Sequence, residues 1–137
     1  MSEHKSLVPI WVRAAVGLLA LANLAYGLMG YLKPASMFPA LELVNPGALD
    51  AVHQFAARNT AIGLALCIVA LVGVPETIAI LMIIRFLIEG QDLVLLILND
   101  ASMTSLAMPA GFMVLEAAIA VLMFRIVANR DASAARL

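Results

Sequence analysis

Apolar residues dominate four stretches of the chain, roughly 10–32, 54–73, 76–98 and 104–128, separated by short polar or Pro/Gly-bearing segments. A helix that crosses a bilayer needs about 20 residues at a rise of about 1.5 Å each, so every stretch is long enough to span. The pattern predicts an all-α integral membrane protein: a four-transmembrane-helix antiparallel bundle, forming a single membrane domain over residues 1–137 with an external loop at 33–53. The first apolar run is too long for a removable signal peptide and lacks a small-residue cleavage site before the next segment. Within the external loop, Asn45-Pro46-Gly47 predicts a helix start, with Asn45 as the cap and Pro46 in the first turn. Met37, Phe38, Leu41 and Leu43 make that loop apolar enough to lie along the membrane interface or fold over the bundle. Gly73-Val74-Pro75-Glu76 and the segment 99–103 read as tight connections, which set successive spans antiparallel.

Composition strengthens the membrane reading. The chain is 64% hydrophobic and 12% charged, with a mean hydropathy of +1.05, outside the range of soluble globular domains. The spans and their connections leave no room for a soluble catalytic domain, so any chemistry is expected among the helices. Lys5 and Arg13 flank the first span and Arg125, Arg130 and Arg136 follow the fourth, while the opposite loops contribute Lys33. By the positive-inside rule both termini are expected in the cytoplasm. A single cysteine, Cys67, excludes an intrachain disulfide or a dithiol redox pair. His4 falls in the tail and His53 at a helix entrance, so two midplane imidazoles for a haem are not on offer, and no cofactor or metal is expected. The eight methionines, among them Met82, Met103, Met108, Met113 and Met123, are scattered as gap-fillers rather than spaced as a copper ladder. Trp11 and Tyr31 bracket the first span as interfacial aromatics do. Nothing points to nucleic acid.

Three ionisable residues interrupt the third stretch: Arg85, Glu89 and Asp92. Charges at membrane depth cost at least about 2.5 kcal/mol each on insertion scales, so they face the protein interior or a wet cavity and mark functional sites. At 100° per residue the three fall within an arc of roughly 60°, so they project from one side of the helix. Glu116 lies roughly 16 Å below the external edge of the fourth span, the level that Arg85 reaches from the other side. Arg85 and Glu116 are therefore expected to pair, and by the same count Arg58 of the second span is expected to pair with Asp92. Glu89 lies between these levels, close in depth to Asn23 of the first span, where Gly27 and Gly30 share a face and Tyr26 is adjacent. Two arginines against three carboxylates leave one negative charge in excess. One of Glu89, Asp92 or Glu116 is expected to hold a proton or to be balanced by a bound cation or cationic ligand, with Glu89 the candidate. The set Arg58, Arg85, Glu89, Asp92, Glu116, Asn23 and Tyr26 can form a ligand- or proton-binding site, or a structural ion-pair network that fixes helix register. No signature of a known enzyme accompanies it.

The run Arg13-Ala-Ala-Val-Gly-Leu-Leu-Ala-Leu-Ala-Asn-Leu-Ala-Tyr-Gly, followed by Leu32-Lys33-Pro34-Ala35-Ser36-Met37-Phe38, resembles the first helix and its exit in DoxX-like small membrane proteins. Ala57-Arg58-Asn59-Thr60-Ala61-Ile62-Gly63-Leu64 is similar to the arginine-bearing start of the second helix in that group. The resemblance implies a four-helix accessory protein of the bacterial inner membrane; some members of the family are subunits of thiosulfate:quinone oxidoreductases or belong to membrane-associated redox-stress complexes, and many have no assigned activity. The Arg85, Glu89, Asp92 face matches no motif of that family. Three functions stay open: an accessory subunit or binding protein for a quinone, lipid or small amphiphilic ligand; an oligomeric proton- or ion-coupled carrier; and a small intramembrane acid–base enzyme. The expected partners are the bilayer and either further copies of the chain or a foreign membrane subunit.

Overall fold

The computed structural model describes residues 8–38 and 45–135, and its regular structure among these is helical: α1 (Ile10–Leu32), α2 (Pro34–Met37), α3 (Pro46–Val72), α4 (Pro75–Leu98) and α5 (Met103–Ala134). Lys5, His4, Leu41, Leu43 and Arg136 lie outside the described residues. Three helices, α1, α3 and α5, are long and apolar enough to cross a membrane. Large apolar side chains on these helices stay exposed, among them Leu18 at 68%, Leu71 at 76% and Val114 at 71%. Such a surface suits lipid, not water. The chain is a multi-pass membrane protein. The fourth long helix, α4, has 24 residues and carries Arg85, Glu89 and Asp92 along its middle.

Two compact units divide the chain, Ile10–Val72 and Gly73–Leu137 together with Met1–Pro9. The first is an antiparallel pair of α1 and α3 held by close backbone approach. A Cβ built on Gly27 would stand 2.9 Å from the Thr60 nitrogen and 3.0 Å from the Ala56 oxygen, and one on Gly63 would stand 3.0 Å from the Leu24 nitrogen. Only residues without a side chain allow that spacing. In lipid, where apolar surface gains nothing by leaving water, such packing is a main source of helix association. Val12, Val16, Leu19 and Ala20 of α1 are buried in this unit along with Val52, Ala56 and Leu66 of α3.

The ends of this pair are closed by polar groups. Asn45 caps α3 as the sequence predicts: its Oδ1 accepts from the Gly47 nitrogen at 2.9 Å, and Pro46 occupies the first position. At the other end the last carbonyls of a helix have no partner of their own. Arg13 fills that need from α1, its Nε donating to the Ala70 carbonyl at 2.7 Å and its Nη2 to the Leu71 carbonyl at 2.8 Å. Replacing Arg13 with Leu removes both donors and strands the part-buried Ala70 carbonyl, so a loss of about 1 kcal/mol is expected, read as a lower unfolding temperature in detergent. An Arg13→Leu protein of wild-type stability would contradict this capping role. Gly73 at φ 68° then ends α3 in the left-handed region.

The α2 turn follows Pro34, and Phe38 beyond it meets Phe55 of α3 edge to face with ring centroids 5.3 Å apart. Phe38 thus packs back on α3.

The second unit pairs α4 with α5. Its turn is a Schellman closure: the Ala101 nitrogen donates to the Leu96 carbonyl at 3.0 Å and Asp100 to Ile97 at 3.2 Å. Asp100 takes the left-handed conformation there, φ 52°, which its short polar side chain tolerates. Ser102 caps α5 by accepting from the Ser105 nitrogen. The helix runs on through Ala134, past the end of the apolar stretch near residue 128. Its 32 residues span about 48 Å, well beyond the hydrocarbon thickness of about 30 Å.

Candidate functional site

Arg85, the first of the three ionisable residues on one side of α4, is also its last fully buried position. Stepping back from it along α4 meets Met82, Ala79 and Ile78, all with no exposure; stepping forward from Glu116 along α5 meets Ile119, Ala120 and Met123, none above 6%. Because the helices are antiparallel, these residues fall at matching levels. They form an apolar plug on one side of the charged group. The site is therefore dry toward the Pro75 end of the pair.

Arg85 and Glu116 are joined as their depths predict. The Arg85 Nε donates to Glu116 Oε1 at 2.7 Å, with 3% of the arginine and none of the glutamate exposed. From the same guanidinium Nη2 donates to Glu89 Oε1 at 2.5 Å, one turn along α4, where the carboxylate retains 15% exposure. One cation thus holds two carboxylates. The second Glu116 oxygen, Oε2, is buried and has no hydrogen-bond partner among the described residues. An acceptor left unsatisfied in such a place costs about 1–3 kcal/mol, more if charged.

The other expected site residues lie as follows. Asp92 continues the same side of α4, one turn beyond Glu89, and is half-buried. Asn23 is buried, 5% exposed, and its Nδ2 donates to the Leu19 carbonyl of its own helix at 2.8 Å. Tyr26 on α1 is 37% exposed. Arg58 on α3 is exposed, with its guanidinium carbon 5.5 Å from the centroid of the Phe55 ring. In the same unit His53 stacks at a tilt on Tyr31, ring centroids 5.7 Å apart. Aromatic and basic side chains thus gather where α1 ends and α3 begins.

Two pairings within the units escape a reading of the sequence. Thr60 donates its hydroxyl to the Ala56 carbonyl at 2.9 Å and sits against Gly27, a register that the glycine alone does not reveal. Arg130 meets Glu76 at 2.5 Å and Asp131 at 3.1 Å, closing the α4–α5 pair beyond its apolar plug. Charges at the start of one apolar stretch and the end of the next were the available signal. Among the described residues, no three His, Cys, Asp or Glu side chains stand together as metal ligands. Cys67 is half-buried in α3.

No family model, curated protein or solved structure matches this chain. The functional reading accordingly rests on the geometry of the charged group.

Proposed function

We propose that the protein is a binding or accessory subunit of the DoxX-like kind in a bacterial inner membrane, and that Arg85, Glu89 and Glu116 hold a small ligand by its polar end. The ligand is a quinone, a lipid headgroup or a similar amphiphile, presented to a partner enzyme. In this reading α4 is the fourth span, both termini are cytoplasmic and the exposed apolar faces meet lipid. Its length of 24 residues supports α4 as a span, and so does the burial of Arg85 against α5. Arg13, Arg125 and Arg130 support the orientation.

The observation that carries the proposal is Glu116 Oε2, fully buried yet lacking a donor among the described residues. A ligand hydroxyl or amine reaching this oxygen removes the deficit, while the Arg85 guanidinium fixes the carboxylate that receives it. Glu116, not Glu89, becomes the residue on which binding turns. Native mass spectrometry of the protein extracted gently from its own membrane is the test. The wild type should retain a small molecule or a second chain. Glu116→Gln should lose the small molecule while unfolding within about 1 kcal/mol of wild type, because the amide keeps an acceptor for Arg85 but can turn N–H groups toward the ligand. Unchanged occupancy in Glu116→Gln would sink the assignment.

One observation favours a second reading, a proton- or ion-coupled carrier. Arg85 engages Glu89 and Glu116 through different nitrogens at once, so a proton arriving on either carboxyl releases that one while the other remains held. A wild-type protein carrying neither ligand nor foreign chain, but moving protons in vesicles, would select this reading.

A further inference from the structure

One edge of an arginine fork, Nε with Nη2, matches both oxygens of a single carboxylate. In the α4–α5 pair that edge is divided: Nε donates to Glu116 Oε1 and Nη2 to Glu89 Oε1. The guanidinium thus holds each carboxylate by one oxygen, and Glu116 Oε2 is left over, buried and without a donor among the described residues. The backbone supplies none, because Glu116 lies deep inside α5, where each N–H is committed to the carbonyl four residues back. Positive charge is short there as well. Within the pair one cation faces two carboxylates, and the next cation along α5, Arg125, stands nine residues on, about 14 Å along the axis and beyond the apolar plug. The group is approached from the other side, where Glu89 keeps 15% exposure.

We propose that the ligand of this group is a cationic amphiphile bearing N–H donors, a primary or secondary ammonium on an apolar chain, seated with one N–H on Glu116 Oε2. This ligand class presupposes the binding reading given above and is narrower than it. The group lacks a donor and a positive charge, and an ammonium brings both, its charge-assisted N–H bonds being about twice as strong as those of a neutral hydroxyl. An oxidised quinone offers carbonyl oxygens alone and would set acceptor against acceptor. A phosphate headgroup adds negative charge where negative charge is already in excess. A metal ion would need several oxygens around it, and among the described residues no three His, Cys, Asp or Glu side chains stand together. An ammonium makes its bonds one at a time and requires no such cage. The apolar chain follows from the surroundings: α4 and α5 turn apolar side chains outward, among them Leu87 and Val114, and a chain buried in lipid offsets the water lost from the charged end.

The experiment titrates a set of probes into the purified full-length protein in detergent and reads occupancy by native mass spectrometry. Dodecylammonium carries charge and donors, dodecanol a donor without charge, dodecyltrimethylammonium charge without a donor, and decylbenzoquinone acceptors alone. The wild type should bind dodecylammonium about tenfold more tightly than any other probe, equivalent to about 1.4 kcal/mol. In Glu116→Gln that preference should disappear, because the amide is neutral and turns N–H groups where the carboxylate turned an acceptor. The ranking is made in the wild type, so it decides the ligand class even where the variant folds poorly. Any other probe bound as tightly as dodecylammonium, and weakened by Glu116→Gln, would leave the binding site standing and overturn its assignment to ammonium ligands. Probes that do not bind the wild type, or bind it without regard to Glu116→Gln, would overturn both.

Discussion

Arg85→Met should destabilise the protein by about 3–5 kcal/mol, the range for breaking a buried ion pair from one side. Methionine fills much of the volume but leaves Glu116, with no exposure, and Glu89, with 15%, without the cation that holds both. The expected readout is a large drop in unfolding temperature in detergent and poor accumulation in the membrane. A double variant sharpens the prediction. Adding Glu116→Leu to Arg85→Met removes the stranded charge together with its orphan oxygen, so stability should recover by more than half, a strong positive coupling between contacting residues. Replacing whole buried ion pairs by apolar residues is often neutral or better. Full stability in the single variant, or no recovery in the double, would mean that the contact between α4 and α5 does not hold the charge as described.

Gly27→Val should be the other severe change, for a steric reason. The nearest atom to an added Cβ is the Thr60 hydroxyl oxygen, and beside it stand the backbone nitrogen of Thr60 and the carbonyl oxygen of Ala56, which cannot swing aside as a side-chain tip does. The helices must separate along much of their contact, and a cost of about 3 kcal/mol, the upper end for overpacking, is expected. Gly17 supplies the internal control: nothing lies within 4 Å of a Cβ there. Gly17→Ala should leave the protein unchanged or stabilise it by up to about 1 kcal/mol through helix propensity. Equal responses at the two glycines, by unfolding temperature, would show that α1 and α3 do not approach as closely as described.

How far these features can be read from residues alone depends on whether they follow from counting. Span lengths follow from apolar run and helical rise, and so does the meeting of Arg85 with Glu116, since two antiparallel helices match depth residue for residue. The i, i+4 spacing likewise brings Glu89 to Arg85. Asn45 was legible because a cap is local. Other features depend on rotation or on distant partners. Asn23 is buried, as its polar setting suggests, but its amide turns back to Leu19 of its own helix, a choice open to any asparagine on a helix. The α2 turn of four residues is too brief for periodicity to register. The last turns of α5 are polar, so hydropathy falls away while alanine-rich backbone keeps the helix going to Ala134. Arg13 reads in sequence as a topology signal, and nothing in its neighbours says that its guanidinium belongs to carbonyls 57 and 58 residues later.

That last contact bears on how the protein is made. Synthesis delivers α1 long before the carbonyls of Ala70 and Leu71 exist, so a nascent chain carries Arg13 at the membrane surface with its donors turned to water and headgroups. When α3 arrives from the opposite direction, the same guanidinium closes on the helix end. Return of the chain to its starting side thus becomes a condition for completing the first pair. An α3 that stopped short, or lodged one turn too deep, would present other carbonyls at other heights and leave Arg13 unsatisfied. The contact is met only by a second crossing of the right direction and the right depth.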